Sequence, residues 1–291
     1  MDIREFAEEM RTRLLERMEG AISIRIERRL KNNSVEPTAL VFTEEKCNVS
    51  PMIYVDGYYQ QYREGTSLEA NAEQMIIAYQ NAREHPLVDV SFMYDWEKVK
   101  TLVTFKLINT ERNLELLQSI PHQEILDLSM VFLITLKEVG GTIMIYNNHC
   151  DMWGIELEEL VCVAKENTPV INPISVISMK DIARELFVDE ADEIPDELEM
   201  YILSNQSKSL GAAAMLYPDS VKNIADRLES DLYILPSSIH EVLLVPTKCN
   251  DVTYLKHMVR SVNNNDVAIE DILGYNVYLY NREKVEFNIV L

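Results

Sequence analysis

Nucleophilic catalysis needs an attacking oxygen, a proton acceptor and an anion to orient it, and the segment Pro236-Ser237-Ser238-Ile239-His240-Glu241 contains all three residue types. In an extended chain, however, neighbours point to opposite faces, so Glu241 is badly placed to orient the His240 imidazole. The alternative is a tight turn in which Ser237, Ser238 and His240 satisfy backbone groups between two buried strands. A second pair, His122 and Glu124, lies two residues apart and shares one strand face. It suits a general base, a metal ligand with its supporting carboxylate, or a structural contact at a strand entrance. Convergence of His122 and His240 on one cleft would strengthen a small-molecule or enzymatic reading. His149-Cys150-Asp151 holds three metal-ligand types, but on a helix consecutive side chains diverge by about 100°, so one ion cannot be gripped by all three. That triplet is expected to open a helix capped by Asn147 or Asn148 and leading to Trp153.

Binding surfaces are suggested by two further groups. Tyr54, Tyr58, Tyr59 and Tyr62 combine rigid apolar rings with polar tips, which suits an interface, although the helical spacing of Tyr58 and Tyr62 suits packing on a sheet equally well. Arg11, Arg13, Arg17, Arg25, Arg28, Arg29 and Lys31 form a basic patch. On the first helix its arginines alternate with Glu8, Glu9, Glu16 and Glu19, so ion pairing is the simpler account.

The elements that carry these residues follow from hydrophobic spacing. Ile3, Phe6, Ala7, Met10, Leu14 and Met18 repeat at helical intervals behind an Asp2–Glu5 capping pair. Ile22, Ile24 and Ile26 alternate with Ser23, Arg25 and Glu27 as in a half-buried strand. Thr38 to Thr43 and Met52 to Val55 read as strands, and Asp56-Gly57 leads into the tyrosine helix. A longer helix follows, with Thr66 and Glu69 as its capping box and His85-Pro86 as its stop. Beyond Asp95, strands at Leu102 to Ile108, Leu126 to Leu136 and Thr142 to Tyr146 alternate with helices, the last two strands joined around Gly140-Gly141. A helix from about Leu157 is expected to stop before Pro169, and another runs from Met179 under a Ser178 cap. Asp189 to Glu199 is dense in acids and reads as a solvated connection. Strands at Tyr201 to Leu203 and Ala212 to Tyr217, a helix through Val221 and Leu228, and strands at Leu232 to Leu235 and Glu241 to Val245 come next. A helix through Val252 and Val262 and a hairpin pairing Tyr275 to Tyr280 with Val285 to Val290 close the chain.

The fold class is therefore α+β, with helices packed on mainly antiparallel sheets. A faint echo between Val103 to Ile125 and Ala212 to Val242 suggests two related α+β halves. The expected regions are 1–94, 95–188 and 189–291, the last two able to form one domain.

Composition narrows the function. The chain has 291 residues, 48 acids against 27 bases and a net charge of −21. Such a charge repels duplex DNA and anionic lipid, so nucleic-acid binding is disfavoured. It also suits an acidic protein that imitates nucleic acid and occupies a basic partner. Only 8 glycines are present, under half of the usual ~7%. Phosphate cradles need clustered glycines, and no dinucleotide fingerprint, phosphate loop, serine elbow or two-histidine zinc helix occurs. No cofactor and no metal is expected. No apolar run reaches the ~18 residues of a membrane span, the amino-terminal residues lack a signal core, and Cys47, Cys150, Cys162 and Cys249 are widely spaced, as in a reducing cytoplasm.

Five segments together resemble a known family: Asn48 to Asp56, Pro121-His122, Met152-Trp153-Gly154, Glu166-Asn167-Thr168-Pro169 and Ser230 to Val242. Over most of its length the chain resembles an uncharacterised family, a domain of unknown function found in anaerobic Gram-positive bacteria. The Pro-Ser-Ser-x-His-Glu stretch is similar to a second uncharacterised family. The resemblance implies a cytoplasmic bacterial protein and supplies no catalytic residues. The leading expectation is a non-enzymatic interaction or regulatory protein with a protein partner.

Overall fold

The computed structural model describes residues 1–18, 22–44, 50–83, 91–137, 141–186, 199–249 and 251–290. The expected helix stop at His85-Pro86, the turn residue Gly140, Cys47, Asn48-Val49 and most of the acidic stretch Asp189 to Glu199 lie outside them. Two compact units divide the chain, Met1–Phe92 and Met93–Leu291. All strand pairings among the described residues are antiparallel, and the class is α+β.

In the first unit α1 (Ile3–Arg17) opens on the expected capping box, with Asp2 and Glu5 exchanging side-chain and backbone bonds. A three-stranded sheet in the order β1 (Ile22–Arg28), β2 (Thr38–Glu44), β3 (Met52–Tyr54) follows. Then come α2 (Asp56–Arg63) and α3 (Leu68–Arg83). The α3 cap differs from expectation: the Ala70 amide donates to Ser67 Oγ at 3.2 Å, and Glu69 instead pairs with Arg13 and Arg17. A carboxylate within reach of two guanidiniums is better engaged there than folded back on its own helix. Phe6, Met10, Leu14, Leu40, Phe42, Met75 and Tyr79 form the core.

The second unit begins with α4 (Trp96–Val99), β4 (Val103–Asn109), α5 (Leu114–Leu117), β5 (His122–Ile125), β6 (Leu128–Leu136) and β7 (Gly141–Met144). The long β6 pairs with β4 on one side and with β5 and then β7 on the other. After α6 (Asn147–Trp153), α7 (Leu157–Ile171) runs through Pro169 rather than stopping before it. Tertiary docking overrides the proline signal: Thr168 Oγ1 accepts the Phe105 amide of β4 at 3.0 Å, and Asn167 Nδ2 donates to the Val103 carbonyl at 3.1 Å. Proline in the last turn deletes one helical bond, while the Asn172 amide still closes on Thr168 at 2.8 Å.

The remaining elements are β8 (Ile174–Ser178), α8 (Met179–Leu186), β9 (Tyr201–Asn205), α9 (Ser220–Leu228), β10 (Leu232–Ser238), β11 (Glu241–Pro246), α10 (Val252–Asn265), β12 (Tyr278–Asn281) and β13 (Glu286–Ile289). Their sheet has the order β13-β12-β10-β11-β9-β8. Leu255 and Val259 of α10 pack on Leu235, Val245 and Val277. The strand expected over Ala212 to Tyr217 is replaced by a 3₁₀ turn, Gly211–Leu216, with Tyr217 as its C-cap. Five consecutive buried residues, three of them alanine, offer neither alternation nor β propensity, and Leu210 at φ 56° turns the chain just before them. The proposed internal echo loses its second opening strand with this correction.

Candidate functional site

β10 and β11 meet at a tight hairpin in which Ser238 pairs with Glu241 and Ile239-His240 make the turn. Ser238 Oγ accepts the His240 amide at 3.1 Å. The imidazole reaches outward: Nδ1 accepts the Leu210 amide at 3.1 Å, which puts the ring proton on Nε2. Nε2 faces Asp271 Oδ1 at 3.3 Å. The orienting carboxylate is therefore Asp271, thirty-odd positions along the chain, while Glu241 begins the next strand.

Backbone bonds tie the same three segments together. The Ile239 amide donates to the Asp271 carbonyl at 2.8 Å and the Ala212 amide to the Ile239 carbonyl at 3.2 Å. Ser204 Oγ donates to the His240 carbonyl at 2.7 Å. Gly211 permits this approach, since a Cβ there would lie 2.6 Å from the His240 oxygen. Ser237 sits in the register shift between Leu235 and Ser238 and takes no part in this network.

His122 lies on β5, with Nδ1 3.1 Å from the Ile120 carbonyl oxygen. That bond holds the proton on Nδ1 and leaves the Nε2 lone pair facing away from it. Glu124 is exposed on the same face, as the two-residue spacing requires. Register places Val131 opposite both His122 and Lys106, so Lys106 and His122 flank one β6 residue on a common face. Burial pushes the Lys106 amine below the usual lysine range, and the field of Asp271 only partly opposes it. His240, Asp271 and Lys106 are thus neighbours in structure or in field, and His122 stands across β6 from the lysine. The described contacts include none between His122 and His240.

The tyrosines divide. Tyr58, Tyr59 and Tyr62 pack on the first unit's core, with Phe6 5.5 Å from the Tyr59 and Tyr62 rings. Tyr54 stands apart under the Lys31 ammonium, 3.7 Å from its ring centre. The basic patch is covered by carboxylates: Arg11 on Glu8, Arg13 on Glu9 and Glu69, Arg17 on Glu69, Arg25 and Arg29 on Glu27, Arg28 on Glu36. His149 corrects the expected asparagine cap, because its Nδ1 accepts the Tyr146 amide at 3.2 Å and makes Tyr146 the N-cap of α6. Burial lowers its pKa, which favours the neutral ring this bond needs. Among the described residues no group of three metal-ligating side chains converges.

Sequence reasoning missed Lys106, Ser204, Gly211 and Asp271. Lys106 had a signal, as the one charge inside the apolar run Val103 to Ile108. Gly211 is an isolated glycine in a glycine-poor chain. Asp271 had no local signal at all.

No curated protein and no solved structure matches the chain. A family model matches residues 3–282, nearly the whole sequence. The chain therefore belongs to the family of unknown function DUF5688.

Proposed function

We propose that this is a non-enzymatic protein of the bacterial cytoplasm, of an anaerobic Gram-positive organism, that works by binding a partner protein along the outer edge of β8. One observation carries the reading. The Gln206 amide bonds the Pro173 carbonyl and the Met179 amide bonds the Met200 carbonyl, and these pairs fix the register parity of the β8–β9 ladder. Ile174, Val176 and Ser178 therefore direct their backbone N–H and C=O groups away from β9. Ile174 and Val176 are also exposed, at 40% and 37%.

Edge strands are usually guarded by lysine, proline or a bulge. Ile-Ser-Val-Ile-Ser has no such guard, which suits addition of an extended strand from another chain. The net charge of −21 favours a partner segment flanked by lysine or arginine. The ring nitrogens of His240 and the hydroxyl of Ser238 are engaged by main chain and Asp271, which leaves them poorly placed for turnover. Free Cys150 and Cys162 fit a reducing compartment. No helix among the described residues is long and apolar enough to cross a membrane.

The test is affinity capture from native extract with the wild type, Val176→Lys and the distant surface variant Tyr254→Lys. A stoichiometric partner lost only with Val176→Lys supports strand addition. Equal capture by all three, or no stoichiometric partner, refutes it.

A second reading, chemistry on the β4–β6–β5 face, is favoured by the lowered Lys106 amine beside the His240–Asp271 pair. Preferential reductive methylation of Lys106 at neutral pH would support it, and reaction no faster than at surface lysines would exclude it.

A further inference from the structure

At the start of α9 a cavity of about 140 Å³ opens between that helix and the β12–β13 hairpin. Its volume is roughly that of four or five waters, so it holds a ligand of only a handful of non-hydrogen atoms. Ser220 and Tyr280 both line it. They are only 6% and 2% exposed, and neither Ser220 Oγ nor Tyr280 OH has a hydrogen-bond partner among the described residues. Two buried hydroxyls without partners on the wall of one cavity are uncommon, because leaving such a group unmade costs about 1–3 kcal/mol.

The neighbouring backbone is also short of acceptors. The Ser220 amide donates to Tyr217 and the Asn223 amide to Asp219, and the Asp219 side chain makes no capping bond. Among the described residues the Val221 and Lys222 amides have no main-chain acceptor, as expected of first-turn donors at the positive end of a helix. The charges around them nearly cancel. Asp226 is held between Lys222 at 2.5 Å and Arg282 at 2.7 Å, while Asp219 remains as the opposing carboxylate on the rim. Burial raises the Tyr280 phenol's pKa and so keeps its proton in place as a donor. Met215 and Phe287 make the rest of the wall apolar.

We propose that this cavity binds a short-chain monocarboxylate. Its carboxylate would accept from Ser220 Oγ, Tyr280 OH and the first-turn amides of α9, and its alkyl end would rest on Met215 and Phe287. Inorganic phosphate offers similar oxygens but would leave the apolar wall unmatched and bring more charge against Asp219.

The test is calorimetric titration of the full chain with propionate, inorganic phosphate and propanol at constant ionic strength and pH. Saturable binding of propionate, weakened about tenfold or more by Ser220→Ala and by Tyr280→Phe, supports the site. Asp219→Asn is expected to tighten it by removing the opposing charge. Tyr280→Phe removes an unpartnered hydroxyl and keeps the ring, so thermal stability without ligand is expected to hold or rise, which separates lost binding from lost folding. No saturable propionate binding, equal affinity in both hydroxyl variants, weaker binding to Asp219→Asn, or tighter binding of phosphate or propanol than of propionate overturns the assignment.

Discussion

Gly211→Ala tests the bracket around His240 most directly. The added methyl would stand 2.6 Å from the His240 carbonyl oxygen and 2.7 Å from the Asn205 nitrogen, and closer still to Ser204 Oγ. Two of these three are backbone atoms, so no rotamer change clears them. The Gly211–Leu216 turn must back away from the hairpin. In doing so it strains the Leu210 amide's bond to His240 Nδ1, the Ala212 amide's bond to Ile239 and the Ser204 bond to the His240 carbonyl, which measure 3.1, 3.2 and 2.7 Å. Three bonds at about 1 kcal/mol each, with an overpacking cost of about 1–3 kcal/mol, give a loss near 4 kcal/mol if the turn relaxes enough to keep part of them. In a unit of this size that lowers Tm by about 8–16 °C. Urea denaturation followed by circular dichroism measures the loss, and hydrogen exchange at the Leu210 amide locates it. A cost below about 1 kcal/mol, or unchanged protection of Leu210, would refute the view that close approach at Gly211 holds these segments together.

Lys106→Met is expected to stabilise the protein at pH 7 by roughly 1–3 kcal/mol, since it removes a charge from a face lined by buried Thr104, Ile108 and Val131. Burial lowers the folded amine below the ordinary 10.5 of the unfolded chain. Between the two values the unfolded state binds more protons, so wild-type stability rises with pH across that window and the variant lacks the rise. Paired denaturation curves from neutral to alkaline pH check both signs, and a destabilised variant would mean that attraction to Asp271 outweighs desolvation. Val285, a β-branched residue at φ 56° and 55% exposed, is strained without compensating burial. Val285→Asn is expected to gain about 1 kcal/mol, read as a Tm rise of about 2–4 °C.

Much of the frame was legible because local chemistry decided it. The Asp2–Glu5 cap, the Ile22-Ile24-Ile26 alternation and the last hairpin each depend on residues within a few positions of one another. Failures came where a distant segment decided the outcome. Pro169 is tolerated because Asn167 and Thr168 dock on β4. The alanines after Gly211 lie in a segment that packs against β9, β11 and β4, so burial without alternation passed for a strand. The site divided in the same way. That Glu241 would not orient His240 followed from the pleat, but Asp271 could not be named without the fold that brings Ile269–Asp271 to the hairpin.

The residues that most resemble a catalytic motif, Ser238 and His240, have hydrogen-bond partners within the fold. Ser238 and His240 close a hairpin, accept the Leu210 amide and meet Asp271, and in doing so join three segments. Among the described residues, hydrogen-bonding capacity without a partner is found in groups that no motif singles out, such as the β8 backbone facing away from β9 and the two hydroxyls facing the α9 cavity. Recognition of another molecule draws on donors and acceptors that folding has left over. For a chain whose sequence carries no glycine-rich phosphate motif and whose described residues bring no three metal ligands together, those groups direct the search for a partner better than the spacing of serine, histidine and glutamate does.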